Sequence, residues 1–108
     1  MAKTKDVQAA RGLGERLSAL HEEADRPAYS RIAGGLILRM GLDDAPKEIQ
    51  VRRAHHGEID PTTCAYELLA GLAAFYGRDV DDLGPTAARR AEVIDGLRTG
   101  SREALVAA

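Results

Sequence analysis

The densest set of groups able to do recognition chemistry lies in residues 46–57, PKEIQVRRAHHG. Read as a helix at about 100° per residue, Lys47, Val51 and Ala54 fall within about 60° of one another. Ile49, Arg52, Arg53 and His56 gather on the opposite side, within about 100° of each other. Turning the arginine side into a core would strand charges, at several kcal/mol per ion. The expected inner face is therefore Val51 and Ala54, with the methylene stem of Lys47 lying along it. The outer face then offers Ile49, Gln50, Arg52, Arg53 and His56. These are the side chains a major groove can use: arginine pairs bidentately with guanine, glutamine with adenine, and an aliphatic group touches the thymine methyl. Lys47 and the first-turn amides suit a phosphate. The plain alternative is a solvated charged face on an ordinary bundle helix.

Other chemistry finds little support. His21, His55, His56 and Cys64 lack metal-ligand spacing, with no CxxC and no HxxxH. Asp79, Asp81 and Asp82 lack the glycine and terminal glutamate of a calcium loop and read as helix-capping groups. No phosphate-binding loop, GxSxG or cysteine–histidine arrangement is present. The expectation is a protein that is not an enzyme, with no metal and no cofactor. The single cysteine, Cys64, excludes an intrachain disulfide and reads as a small apolar core residue.

The charge distribution supports the focus on the middle of the chain. Net charge is −2 over 108 residues, but residues 26–57 carry +3 while residues 1–25 carry −1 and residues 58–108 carry −4. A local basic patch on an acidic body can bind phosphates while limiting non-specific affinity. The length suits one domain with one core. Aromatics are few (Tyr29, Tyr66, Phe75, Tyr76), so the core must be built from Leu, Ile, Val and Ala. The N-terminal residues lack an apolar signal region, and no apolar run is long enough for a bilayer, so the expected location is cytoplasmic.

Five or six helices are needed to position this segment. The first runs from about Val7 to Ala24, its stripe being Val7, Ala10, Leu13, Leu17, Leu20 and Ala24, and Pro27 follows its end. The second runs from about Ala28 to Met40 with Ile32, Ala33, Leu36, Ile37 and Met40 on one face. Gly34 and Gly35 inside it cost about 1 kcal/mol each relative to alanine. Close approach of another helix, or a kink, would account for them. Gly41 is its expected cap. The third begins after Asp44, with Pro46 near its first turn, and ends at Gly57. The fourth is expected to start with Asp60 as N-cap and Pro61 in the first position, to bury Ala65, Leu68, Leu69, Leu72, Phe75 and Tyr76, and to close at Gly77. A short turn over Asp79–Leu83 tucks Val80 and Leu83 onto the core. After Gly84 and Pro85 the last helix is read from Thr86 to Leu97, loosened at Thr99 and Gly100, with Ser101 restarting a terminal turn to Ala108.

The run from about Leu13 to Leu83 resembles the lambda repressor/Cro-like (XRE-type) helix-turn-helix family. The resemblance rests on GERLSALHEEA, YSRIAGGLILRMG and IQVRRAHHGEIDPTTCAYELLAGLAAFYGRDVDDL, with Gly57, Pro61, Leu68–Leu72, Gly77 and Val80–Leu83 in the family's order. It covers about two thirds of the chain. Here the connection between the second and third helices is about four residues longer, and His55 stands where the family often has a glutamate. The resemblance implies an all-α fold, a compact five- to six-helix bundle containing a helix-turn-helix. Residues 1–6 would form a flexible arm carrying Lys3 and Lys5, residues 7–84 the DNA-binding domain, and residues 85–108 a C-terminal helical extension.

It further implies Lys47, Gln50, Arg52 and Arg53 as recognition-helix contacts, and Ser30 and Arg31 as clamps on the DNA backbone. Arg26 is a weaker phosphate candidate. The functional expectation is a sequence-specific double-stranded DNA-binding regulator of transcription, a repressor of phage or bacterial origin acting as a homodimer. The DNA-binding set is Ser30, Arg31, Lys47, Ile49, Gln50, Arg52, Arg53 and His56. The alternatives are an antitoxin with residues 85–108 gripping a toxin, and a helical protein-interaction module without DNA binding. The ending Ala104-Leu105-Val106-Ala107-Ala108 resembles the tail of the bacterial tmRNA degradation tag, which implies recognition by a cytoplasmic protease. A frayed, alanine-rich helix end is the simpler reading.

Overall fold

The computed structural model of the chain describes residues 6–107, with side chains described for residues 6–97. Among the described residues the chain is all-helical: α1 (Val7–Glu23), α2 (Tyr29–Met40), α3 (Glu48–His55), α4 (Tyr66–Phe75), a 3-10 turn (Val80–Leu83) and α5 (Pro85–Ala107). None of these helices is long and apolar enough to cross a membrane.

Each helix end has a local chemical cause. The Asp6 carboxylate accepts from the Ala9 amide at 3.0 Å and caps α1. Helices α1, α3 and α4 all close with the paired 6→1 and 5→2 hydrogen bonds of a Schellman motif. In α3 and α4 the left-handed position is a glycine, Gly57 (φ 74°) and Gly77 (φ 68°), whereas in α1 it is Asp25 (φ 67°).

The core joins one stripe from each helix: Leu13, Leu17 and Leu20 of α1, Ile32, Ala33 and Leu36 of α2, Val51 and Ala54 of α3, Leu68, Leu69, Leu72 and Ala73 of α4, and Ala87 of α5, with Leu83 from the 3-10 turn. Helix α1 packs on α3 and the 3-10 turn, α2 on α3 and α4, and α5 chiefly on the 3-10 turn. Two crossings depend on missing side chains. A Cβ on Gly14 would lie 2.5 Å from the Gly57 backbone, so α1 rides directly on the end of α3. A Cβ on Gly71 would lie 2.9 Å from Leu36, so α4 closes on α2. Gly35 faces the Phe75 ring, which accounts for one half of the Gly34-Gly35 pair by close approach. Nothing crowds Gly34.

Three segments depart from the sequence reading. Helix α4 begins at Tyr66, not at Pro61. Asp60 caps a separate turn instead: its carboxylate accepts from the Thr62 amide (2.8 Å), the Thr62 hydroxyl (2.6 Å) and the Asp6 amide (2.8 Å). The Arg90 Nη1 then donates to the Pro61 and Cys64 carbonyls, which a continuous helix would have used internally. Second, α5 runs unbroken through Thr99 and Gly100 to Ala107. Third, α3 is shorter at its start than expected, with Lys47 as N-cap and Pro46 buried ahead of it. Cys64 is half-buried, and burial raises its thiol pKa above the ordinary value. Lys3, Lys5 and Ala108 lie outside the described residues, as do the side chains of the tag-like ending.

Candidate functional site

Helix α3 has two chemically distinct sides. Val51 and Ala54 are 0% exposed, and His55 beside them is 3% exposed. Ile49, Gln50, Arg52, Arg53 and His56 face outward, with Ile49 51% exposed. The two residues chosen for the inner face thus lie in the core, and the arginines lie at the surface. Lys47 differs from expectation. It precedes the helix as N-cap, in extended backbone (ψ 159°), and is exposed.

The outward groups are not all unengaged. The Gln50 Oε1 accepts from the Lys47 amide at 3.1 Å, one arm of a capping box. Arg52 lies 3.7 Å from Glu48 one turn earlier, and His56 Nδ1 lies 3.9 Å from Glu58. The exposed i,i+4 pair of Arg52 with Glu48 contributes only about 0.3–0.5 kcal/mol, and the long contact of His56 with Glu58 is no stronger, so a phosphate or base edge can displace them. Arg53 and Lys47 have no ion-pair partner among the described residues.

Ser30 and Arg31 are exposed on the first turn of α2, where Ala28 supplies no side-chain cap. The His56 ring meets Tyr29 edge-on with centroids 6.0 Å apart, which sets this turn beside the C-terminal end of α3. Ser30 and Arg31 directly follow Tyr29, the residue that His56 meets. Arg26 is bonded to Glu22 at 2.9 Å on the surface and is a lesser candidate.

Beneath this surface lies a cluster that the sequence reading did not single out. His55 Nδ1 is 2.8 Å from the Val51 carbonyl, and Nε2 is 2.6 Å from the Tyr76 hydroxyl. His21 Nε2 donates to the Pro27 carbonyl at 2.7 Å. Tyr29 stacks on His21 and tilts against His55, each at 5.2 Å between centroids. Ser18 of α1 donates to the His55 carbonyl at 3.1 Å. Burial is the main cause holding the His55 pKa below its usual value, and the neighbouring His21 and His56 act in the same direction. Burial also pushes the Tyr76 phenol upward. One signal was available: His55 lies about 40° from Val51 on the helical wheel, on the inner side.

Among the described residues no group of three or more histidine, cysteine or acidic side chains is placed to hold a metal ion. Comparison with protein-family models, with curated proteins and with solved structures returned no match for this chain.

Proposed function

We propose that this chain is a helix-turn-helix regulator of the lambda repressor/Cro-like kind that binds double-stranded DNA with α3. The observation that carries the reading is the sidedness of α3: an inner face wholly withdrawn from solvent, and an outer face presenting an aliphatic group, an amide and two guanidiniums. On DNA, Arg52 and Arg53 pair with guanine edges or phosphates and Ile49 contacts a thymine methyl. Gln50 reads adenine once it releases the exposed Lys47 amide, a net cost of about 1 kcal/mol. Lys47, Ser30 and Arg31 hold the sugar-phosphate backbone. A homodimer would set two copies of α3 into half-sites about one helical turn apart, giving a repressor that blocks a palindromic operator.

The test is selection of bound duplexes from a random pool. A palindromic consensus with half-sites one turn apart supports a dimeric regulator. Recovery of no enriched sequence at low salt overturns DNA recognition.

One observation favours a second reading, a helical module that binds protein instead. Leu38 is 91% exposed and Leu42 is 75% exposed, both on the segment leading into α3. An antitoxin using both surfaces would unite the two readings, and co-purification of a protein partner that survives substitution of Arg52 and Arg53 would favour it.

A further inference from the structure

We propose that His55 is the positioning residue of α3, a proton-sensitive anchor that holds the helix against α1 and α4 only while its ring is neutral. The anchor belongs to the interior and holds whatever α3 binds at its outer face.

The hydrogen-bond geometry fixes the tautomer. The Val51 carbonyl can only accept, so Nδ1 carries the hydrogen. Nε2 is then a lone pair, and the Tyr76 hydroxyl donates to it. Both ring nitrogens are satisfied by the neutral form. Through these bonds and the Ser18 bond to its carbonyl, the last turn of α3 is tied to Tyr76, the C-cap of α4, and to α1.

A second proton must go onto Nε2, where Tyr76 must reverse its hydroxyl and accept. The resulting cation has no carboxylate among its hydrogen-bond partners. The facing groups are His21, with Arg11 and Glu15 lining the adjoining cleft, from α1, Tyr29 from α2, His56 on α3 itself, and Tyr76 following α4. Glu15 is exposed, and Glu58 is directed at His56. The two neighbouring imidazoles repel a charge on His55 whenever they carry their own. A buried, uncompensated imidazolium is unfavourable, so the folded state resists the proton that the unfolded chain accepts.

The sign follows from the lowered folded-state pKa. The stabilisation is fully present above the unfolded value of about 6.5 and is lost progressively as pH falls from there toward the folded value. Over one pH unit in that window the folding constant falls up to about tenfold.

The experiment measures urea unfolding of the whole chain at pH 7.5 and 5.5 for the wild type, His55→Gln and a His21→Gln control. The expected result is that the advantage of wild type over His55→Gln shrinks between the two pH values, by up to about tenfold in folding constant, while His21→Gln, which removes only a secondary repulsion, keeps most of the pH dependence of wild type. An advantage that is the same at both values overturns the proposal. Should His55→Gln fail to fold, nitrogen-15 chemical shifts of the wild-type imidazoles decide the matter. A folded His55 that keeps the neutral Nδ1–H form to a pH below the ordinary histidine value is expected, and one that takes its second proton at or above that value refutes the anchor.

Discussion

Gly14→Ala and Gly12→Ala differ by two positions in one helix, and the structure assigns them opposite signs. In a helix interior, glycine to alanine is worth about 1 kcal/mol in favour of folding. At Gly12 nothing lies within 4 Å of the added Cβ, so that gain should appear undiminished. At Gly14 the added Cβ would sit 2.5 Å from both the N and Cα of Gly57, where ordinary contact begins at 3.4 Å. Relief requires α1 and the end of α3 to part by roughly 1 Å, and both obstructing atoms are backbone. Overpacking of this kind costs about 1–3 kcal/mol, and the immobile backbone puts Gly14 at the upper end. Net of the propensity gain, Gly14→Ala should lose about 2 kcal/mol and stand about 3 kcal/mol below Gly12→Ala. For a domain of this size that is a gap of about 12 °C or more in Tm. Urea unfolding followed by circular dichroism at 222 nm measures both variants directly. If the two alanines stabilise alike, α1 does not ride on Gly57, and the seat proposed for α3 is wrong.

Asp60→Ala should cost about 2 kcal/mol or more, because three donors lose their acceptor near a buried position, and Asp60→Asn should recover part of it. Replacing Arg90 by methionine leaves the Pro61 and Cys64 carbonyls without their cation, and should lower stability by about 1–3 kcal/mol in thermal unfolding. Asp25→Gly relieves a left-handed residue at the end of α1 and should raise stability by about 1 kcal/mol. An unchanged Tm there would mean that the Asp25 side chain already compensates its backbone.

The centres of the stripes of α1, α2 and α4 and the inward turn of Val51 and Ala54 were legible in the sequence, because apolar periodicity and the cost of burying arginine are both local quantities, whereas Val7, Ala24, Ile37 and Ala65, also read as inward, are exposed. The start of α4 was misread for a long-range reason. Asp60 followed by Pro61 is a sound helix opening locally, but Asp6 and Arg90, from opposite ends of the described chain, claim the groups that would have continued it. Lys47 was misplaced because the wheel assumed helix where the backbone is still extended. His55 was weighed only as a metal ligand and as a departure from the family pattern, because its packing role lies in Tyr76, Tyr29 and His21, residues whose approach no spacing in the sequence announces. The continuity of α5 shows how little Thr99 and Gly100 weigh against an otherwise uninterrupted helix.

The central claim is that the outer face of α3 meets DNA. Its most direct measurement is the dependence of duplex affinity on salt, for the wild type and for an Arg52→Ala/Arg53→Ala double variant of unchanged stability, on the best duplex recovered by selection. Binding should weaken steeply with salt, and the slope of log K on log salt should be smaller by up to about 2 in the double variant, as each lost arginine–phosphate contact removes nearly one released counterion. Equal affinities and equal slopes for the two proteins would contradict it.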